Sequence, residues 1–197
     1  MLKIEYVWRE LLYRAIEKKQ SDFTMLELGN KFKLSTSLVS HALAPLRSLA
    51  IVEIRKNKSR IINAEKLLFY WATRRTIKKD IIYQTFSPLP VFEREASLPA
   101  DVVPTAYSAY RFYFDDVPSD YENIYFYSET EDEVRKRFPE KAKKPPNLFI
   151  LKSDPYLKLY KNTPIGQIFA DLWNLPDWYA KEFVNSLILK IKKKIGL

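Results

Sequence analysis

Two helix-start signals lie eleven residues apart in the first third of the chain, and they constrain its fold more than any other feature. The first is Thr24 with Glu27. A threonine hydroxyl there accepts from the backbone N–H at Glu27, and the glutamate reaches back to Thr24, which predicts a short helix ending near Lys31 to Lys33. The second is Ser35, followed by Leu38 or Val39, then Ala42, Leu43 and Leu46 on one face of a further helix. Ahead of both, Ile4, Val7, Trp8, Leu11, Leu12 and Ala15 recur at helical spacing across residues 3–18. Behind them, Ile51 to Ile54 reads as a short strand, Arg55 to Arg60 as a polar turn, and Ile61 with Ile62 as the start of the returning strand. The predicted order is helix, helix, tight turn, helix, hairpin.

Charge follows the same division. Residues 1–80 hold 17 Lys and Arg against 8 Asp and Glu, so the whole formal surplus of +9 sits there; residues 81–197 hold 16 of each. Within that second part, residues 81–133 carry 2 basic and 11 acidic groups, and residues 134–197 carry 14 and 5. A local basic surplus is what phosphate binding requires, because each Lys or Arg contact releases condensed counterions.

Helix, helix, turn, helix and hairpin is the layout of a winged helix-turn-helix. The stretch LSTSLVSHALAPLRSLAIV, Leu34 to Val52, resembles the recognition helix of ArsR- and MarR-like bacterial and archaeal regulators. Burying the apolar face turns Thr36, Ser37, Ser40, His41 and Arg47 outward, and short polar side chains suit the major groove. Arg55, Lys56, Lys58 and Arg60 would grip the flanking backbone or an adjacent minor groove as the wing. These nine are the candidate DNA-binding residues, with double-stranded DNA as the partner. Pro45 lies inside the third helix and predicts that the helix bends or ends there. The glycine usual before the first wing strand is Ala50 here.

Much enzyme chemistry has no raw material in this chain. There is no cysteine, hence no disulfide or thiolate metal site, and one histidine, His41. Three glycines leave no phosphate-cradling loop, and no metal or cofactor is expected. No apolar run approaches 18 residues, so no membrane span is predicted. Met1 to Lys19 carries Glu5, Glu10 and Glu17, unlike a signal peptide, and the expected compartment is the cytoplasm.

Residues 64–79 predict a connecting helix with Leu67, Leu68, Trp71 and Ala72 on its apolar side. Arg74, Arg75, Lys78 and Lys79 crowd its end, where cations suit the helix dipole; a dimer interface or an extra DNA contact is the sharper alternative. Strands are expected at 81–86, 123–127 and 147–151, with Tyr156 to Tyr160 alternating as a half-buried fourth. Thr130 caps a helix to about Phe138, and two more helices run near 164–174 and 177–195. The expected fold class is α+β: a winged helix-turn-helix domain over residues 1–79 and a mixed α/β domain over residues 80–197. Residues 107–127 hold nine aromatics with Asp115, Asp116 and Asp120. A nucleotidyltransferase would want a Gly-Ser turn and two carboxylates on a strand for its metal ions, and this segment has neither, so loop capping, core packing and no enzymatic activity are expected.

Taken together, the helix-turn-helix, LPADVVPTAYSAY (Leu98–Tyr110), NLFIL (Asn147–Leu151) and PIGQIFADLW (Pro164–Trp173) resemble the AbiEi antitoxin family, in particular an archaeal branch of regulators. That resemblance implies a C-terminal domain like a degenerate nucleotidyltransferase fold and a DNA-binding, autoregulatory transcription regulator, expected as a homodimer. The alternative it implies is an antitoxin that neutralises a nucleotidyltransferase-like toxin through the C-terminal domain.

Overall fold

A computed structural model describes residues 1–140 and 144–196 as a mixed α+β structure with two sheets. The first part comprises α1 (Lys3–Glu17), β1 (Asp22–Phe23), α2 (Met25–Phe32), α3 (Thr36–Ser48), β2 (Val52–Glu53) and β3 (Ser59–Ile61). Its small antiparallel sheet has the order β1-β3-β2, with Asp22 opposite Arg60, and Val52 opposite Ile61. The two capping signals form as read: Thr24 and Glu27 exchange reciprocal bonds of 3.1 Å, and Ser35 Oγ accepts from the Leu38 amide at 3.2 Å. The returning strand begins two residues earlier than expected, because Ser59 and Arg60 pair with β1, and Arg60 pairs with β2 as well. A two-residue strand such as β1 has no periodicity to announce it.

After α4 (Ala64–Ala72) and a 3₁₀ turn (Ile77–Asp80) come β4 (Ile81–Thr85), α5 (Val91–Ala96), β5 (Val103–Thr105), α6 (Ala106–Phe114) and β6 (Ile124–Ser128). Then follow α7 (Asp132–Arg137), β7 (Leu148–Lys152), a 3₁₀ turn (Leu157–Leu159), α8 (Ile165–Trp173) and α9 (Ala180–Ile195). The second sheet runs β4-β7-β6-β5, with β6 and β7 parallel and both outer pairs antiparallel.

Three sequence expectations are corrected. The helix expected over 64–79 stops at Ala72: the Thr73 hydroxyl donates to the carbonyls of Phe69 and Tyr70 at 3.0 and 3.1 Å, and Arg74 lies over the Tyr70 ring at 3.8 Å. The strand expected at Tyr156–Tyr160 is a 3₁₀ turn, because Asp154 ties the chain back by accepting from the Tyr156 amide at 3.0 Å. Thr130 does not cap α7, whose N-cap is Glu131, without a side-chain bond.

One continuous apolar interior crosses residue 80. It includes Trp8, Leu11 and Leu12 of α1 together with Ile168 and Phe169 of α8 and Phe183 and Leu187 of α9. Gly166 sets the closest approach, since a Cβ there would meet the Leu12 Cβ at 2.8 Å. Beside it, the buried Arg9 guanidinium grips Asp154 with two bonds, 2.5 and 2.8 Å, and donates a third to Gln167 at 3.2 Å. Among the described residues no helix is long and apolar enough to cross a membrane.

Candidate nucleic-acid interface

The turn between α2 and α3 is built tightly. Lys33 takes a left-handed conformation (φ 50°), and the Leu34 amide returns to the Gly29 carbonyl at 2.9 Å. A Cβ on Gly29 would sit 3.1 Å from the Leu34 carbonyl oxygen, so that close approach favours glycine. Trp8 of α1 then fixes α3 from below, its indole N–H donating to the Ala42 carbonyl at 2.9 Å.

With Val39, Ala42, Leu43 and Leu46 buried, α3 presents its other face to solvent. Thr36, Ser37, Ser40, His41 and Arg47 are all exposed. Ser37, Ser40, Ala44 and Arg47 follow helical spacing along one stripe. Ser40, Ala44 and Arg47 border a groove of about 380 Å³ that Met25 and Ile54 also line. Pro45 neither ends nor truncates the helix, which continues to Ser48. The carbonyl that Pro45 leaves without a helical donor is that of His41, an exposed residue. Arg47 therefore stays in register with Ser40.

No acidic residue occurs anywhere in α3. By contrast, α1, α2 and α4 each carry a glutamate in the first turn: Glu5, Glu27 and Glu65. Such a glutamate complements the positive end of the helix dipole, and at α3 that end stays uncompensated.

The hairpin tip carries its four cations in the open: Arg55, Lys56, Lys58 and Arg60 are exposed. Three of them hold counter-ions that sequence reading did not single out. Arg55 bonds Glu53 at 2.7 Å, while Lys58 and Arg60 share Asp22 at 2.9 and 3.2 Å. Both acids feel it: the bond to Lys58 lowers the Asp22 carboxyl, and the bond to Arg55 lowers that of Glu53. Lys56 has no acidic partner among the described residues. Asp22 sits on β1, the strand with no sequence signature, so this pairing was visible only once the sheet order was known.

The carboxylates of the second half go elsewhere. Asp115 ends α6 in a left-handed conformation, its amide returning to Arg111 at 2.9 Å, and Asp116 pairs with Lys190 at 3.2 Å. Among the described residues no three acidic or histidine side chains gather into a group able to hold a metal ion. Most of the neighbouring aromatics are core: Tyr107, Tyr110, Tyr121, Tyr125, Phe126 and Tyr127 are buried.

No protein-family model, no curated protein and no solved structure matches this chain.

Proposed function

We propose that the chain is a DNA-binding transcription regulator. In this reading residues 3–61 act as a winged helix-turn-helix, with α3 in the major groove and the hairpin tip on the flanking phosphates. The observation that carries it is the exposed, acid-free face of α3. Its hydroxyls, imidazole and guanidinium are exposed together, while the opposite face is anchored in the core. Thr36, Ser37, Ser40, His41 and Arg47 approach base edges and nearby phosphates; Lys56, and the other hairpin cations on release from Glu53 and Asp22, bind the backbone. Paired half-sites and a homodimer belong to the same reading.

The test is a titration against the DNA upstream of the chain's own gene and against unrelated duplex, across a salt series. Preference for the upstream site by about 10³-fold or more supports a sequence-specific regulator. Equal, salt-sensitive binding to both restricts the face to nonspecific phosphate contact, and no binding to either overturns the proposal.

A further inference from the structure

Away from the α3 face, a groove of about 540 Å³ opens between the end of α1, the exit of β3, the first turn of α4 and the last turn of α9. None of the nine candidate DNA-binding residues lines it. Its volume is that of a small-molecule site.

The groove's lining is of two chemical kinds. Ala15, Ile61, Ile62 and Ile195 form a hydrocarbon wall. Ile62 is 55% exposed although Ile61 beside it is buried, so the fold leaves apolar surface uncovered here. Lys19, Gln20, Ser21 and Asn63 supply the polar lining. Asn63 Oδ1 already accepts from the Lys66 amide at 2.7 Å, which leaves its N–H donors for another partner. Glu65, the carboxylate on the wall, is engaged by Lys192 at 2.9 Å. Lys19 has no acidic partner among the described residues, and its backbone is held at φ 55°, a conformation uncommon for a residue with a side chain. The polar lining therefore offers N–H donors and the Lys19 charge, while the one acid of the lining is paired with Lys192.

We infer that this groove binds a small organic carboxylate. The hydrocarbon body lies against Ile61, Ile62 and Ile195, and the carboxylate takes the Lys19 ammonium and the amide donors of Gln20 and Asn63. A planar two-oxygen acceptor on an apolar body complements both kinds of lining. The occupant also rests on the segment that anchors the hairpin: the Ile61 amide donates to Ser21 at 2.8 Å, and the Ile62 amide to Ile51, just past α3, at 2.8 Å.

The test uses the full chain without DNA, so its outcome is independent of the proposed regulator activity. Calorimetric titrations with sodium hexanoate and with neutral hexanamide, at matched ionic strength, compare the charged and uncharged heads on one hydrocarbon body. Hexanoate is expected to bind saturably and hexanamide at least about tenfold more weakly. Lys19→Gln should bring hexanoate down to the hexanamide level. Ile62→Gln, at an exposed position, should weaken both. Absence of saturable hexanoate binding, equal binding of the two probes, or hexanoate binding unchanged in either variant would overturn the assignment.

Discussion

Arg75 and Asp171, ninety-six positions apart in the chain, meet in the interior with Arg75 Nε donating to Asp171 Oδ1 at 3.0 Å. The carboxylate is completed by the hydroxyls of Tyr127 at 2.6 Å and Thr105 at 2.8 Å, while Arg75 also reaches Asp80 at 2.6 Å. Both side chains are shut from water, so removing either leaves a buried polar group of the other without its partner. Arg75→Met or Asp171→Leu alone should each lower folding stability by about 3–5 kcal/mol, whereas the double substitution should cost much less than their sum. Urea denaturation of the four proteins checks this, and additive losses would show that the pair is not coupled.

Glu17, the last residue of α1, is held by α6 and the start of α8. Its carboxylate accepts from the Tyr113 hydroxyl at 3.0 Å and from the Ile165 amide at 3.3 Å. Burial outweighs those bonds and pushes the carboxyl up to about 7. The folded state then keeps a proton that the unfolded chain releases, so stability falls as pH rises from the ordinary glutamate range to about 7 and is level above it. Glu17→Gln imitates the protonated form. It should be more stable than the parent by about 3 kcal/mol at pH 8 and nearly equal to it at pH 4. A gain that is the same at both pH values would assign the effect to packing instead.

Local signals were legible and distant ones were not. The caps at Thr24 and Ser35, the span of α1 and the strands β4, β6 and β7 came within a residue or two of their observed bounds, because each is set by a side chain bonding its own turn or by an apolar run. Arg75 read as a surface cation at a helix end. Its true partner lies on α8, and a contact across ninety-six residues leaves no periodic trace. The Tyr156–Tyr160 alternation misled for the same reason: Tyr156 donates to the Phe32 carbonyl at 2.6 Å and Tyr160 to Glu10 at 2.8 Å, so both tyrosines serve contacts to α1 and α2 rather than a sheet. At the candidate interface, amphipathicity alone placed the α3 residues in solvent. The counter-ions of the hairpin needed the fold.

Those counter-ions separate the hairpin cations by experiment. Lys56→Ala should weaken binding to specific and unrelated duplex alike and reduce the salt dependence by about one unit of slope. Asp22→Asn should act in the opposite direction, because Lys58 and Arg60 no longer exchange a carboxylate for a phosphate, and affinity should rise several-fold on every sequence. Fluorescence anisotropy between about 50 and 200 mM salt resolves both effects. Unchanged affinity and slope in Lys56→Ala would remove the hairpin from the DNA footprint.

Ala50 offers a test of the turn that joins α3 to the hairpin. The Ala50 amide returns to the Arg47 carbonyl at 3.0 Å and the Ile51 amide to Leu46 at 2.8 Å, the paired bonds of a Schellman ending, with Leu46 and Ile51 both buried. Ala50 itself stands at φ 52°. An L-residue in that region costs about 1–2 kcal/mol, while glycine in place of alanine loses about 0.4–1 kcal/mol through the unfolded chain. Ala50→Gly should therefore stabilise the protein by about 0.5 kcal/mol. Ala50→Val, branched at Cβ, should destabilise it by about 1 kcal/mol or more. The expected order of urea midpoints is glycine, alanine, valine. A valine variant as stable as the parent would mean that residue 50 is not held left-handed in solution, and that the hairpin leaves α3 along a different path.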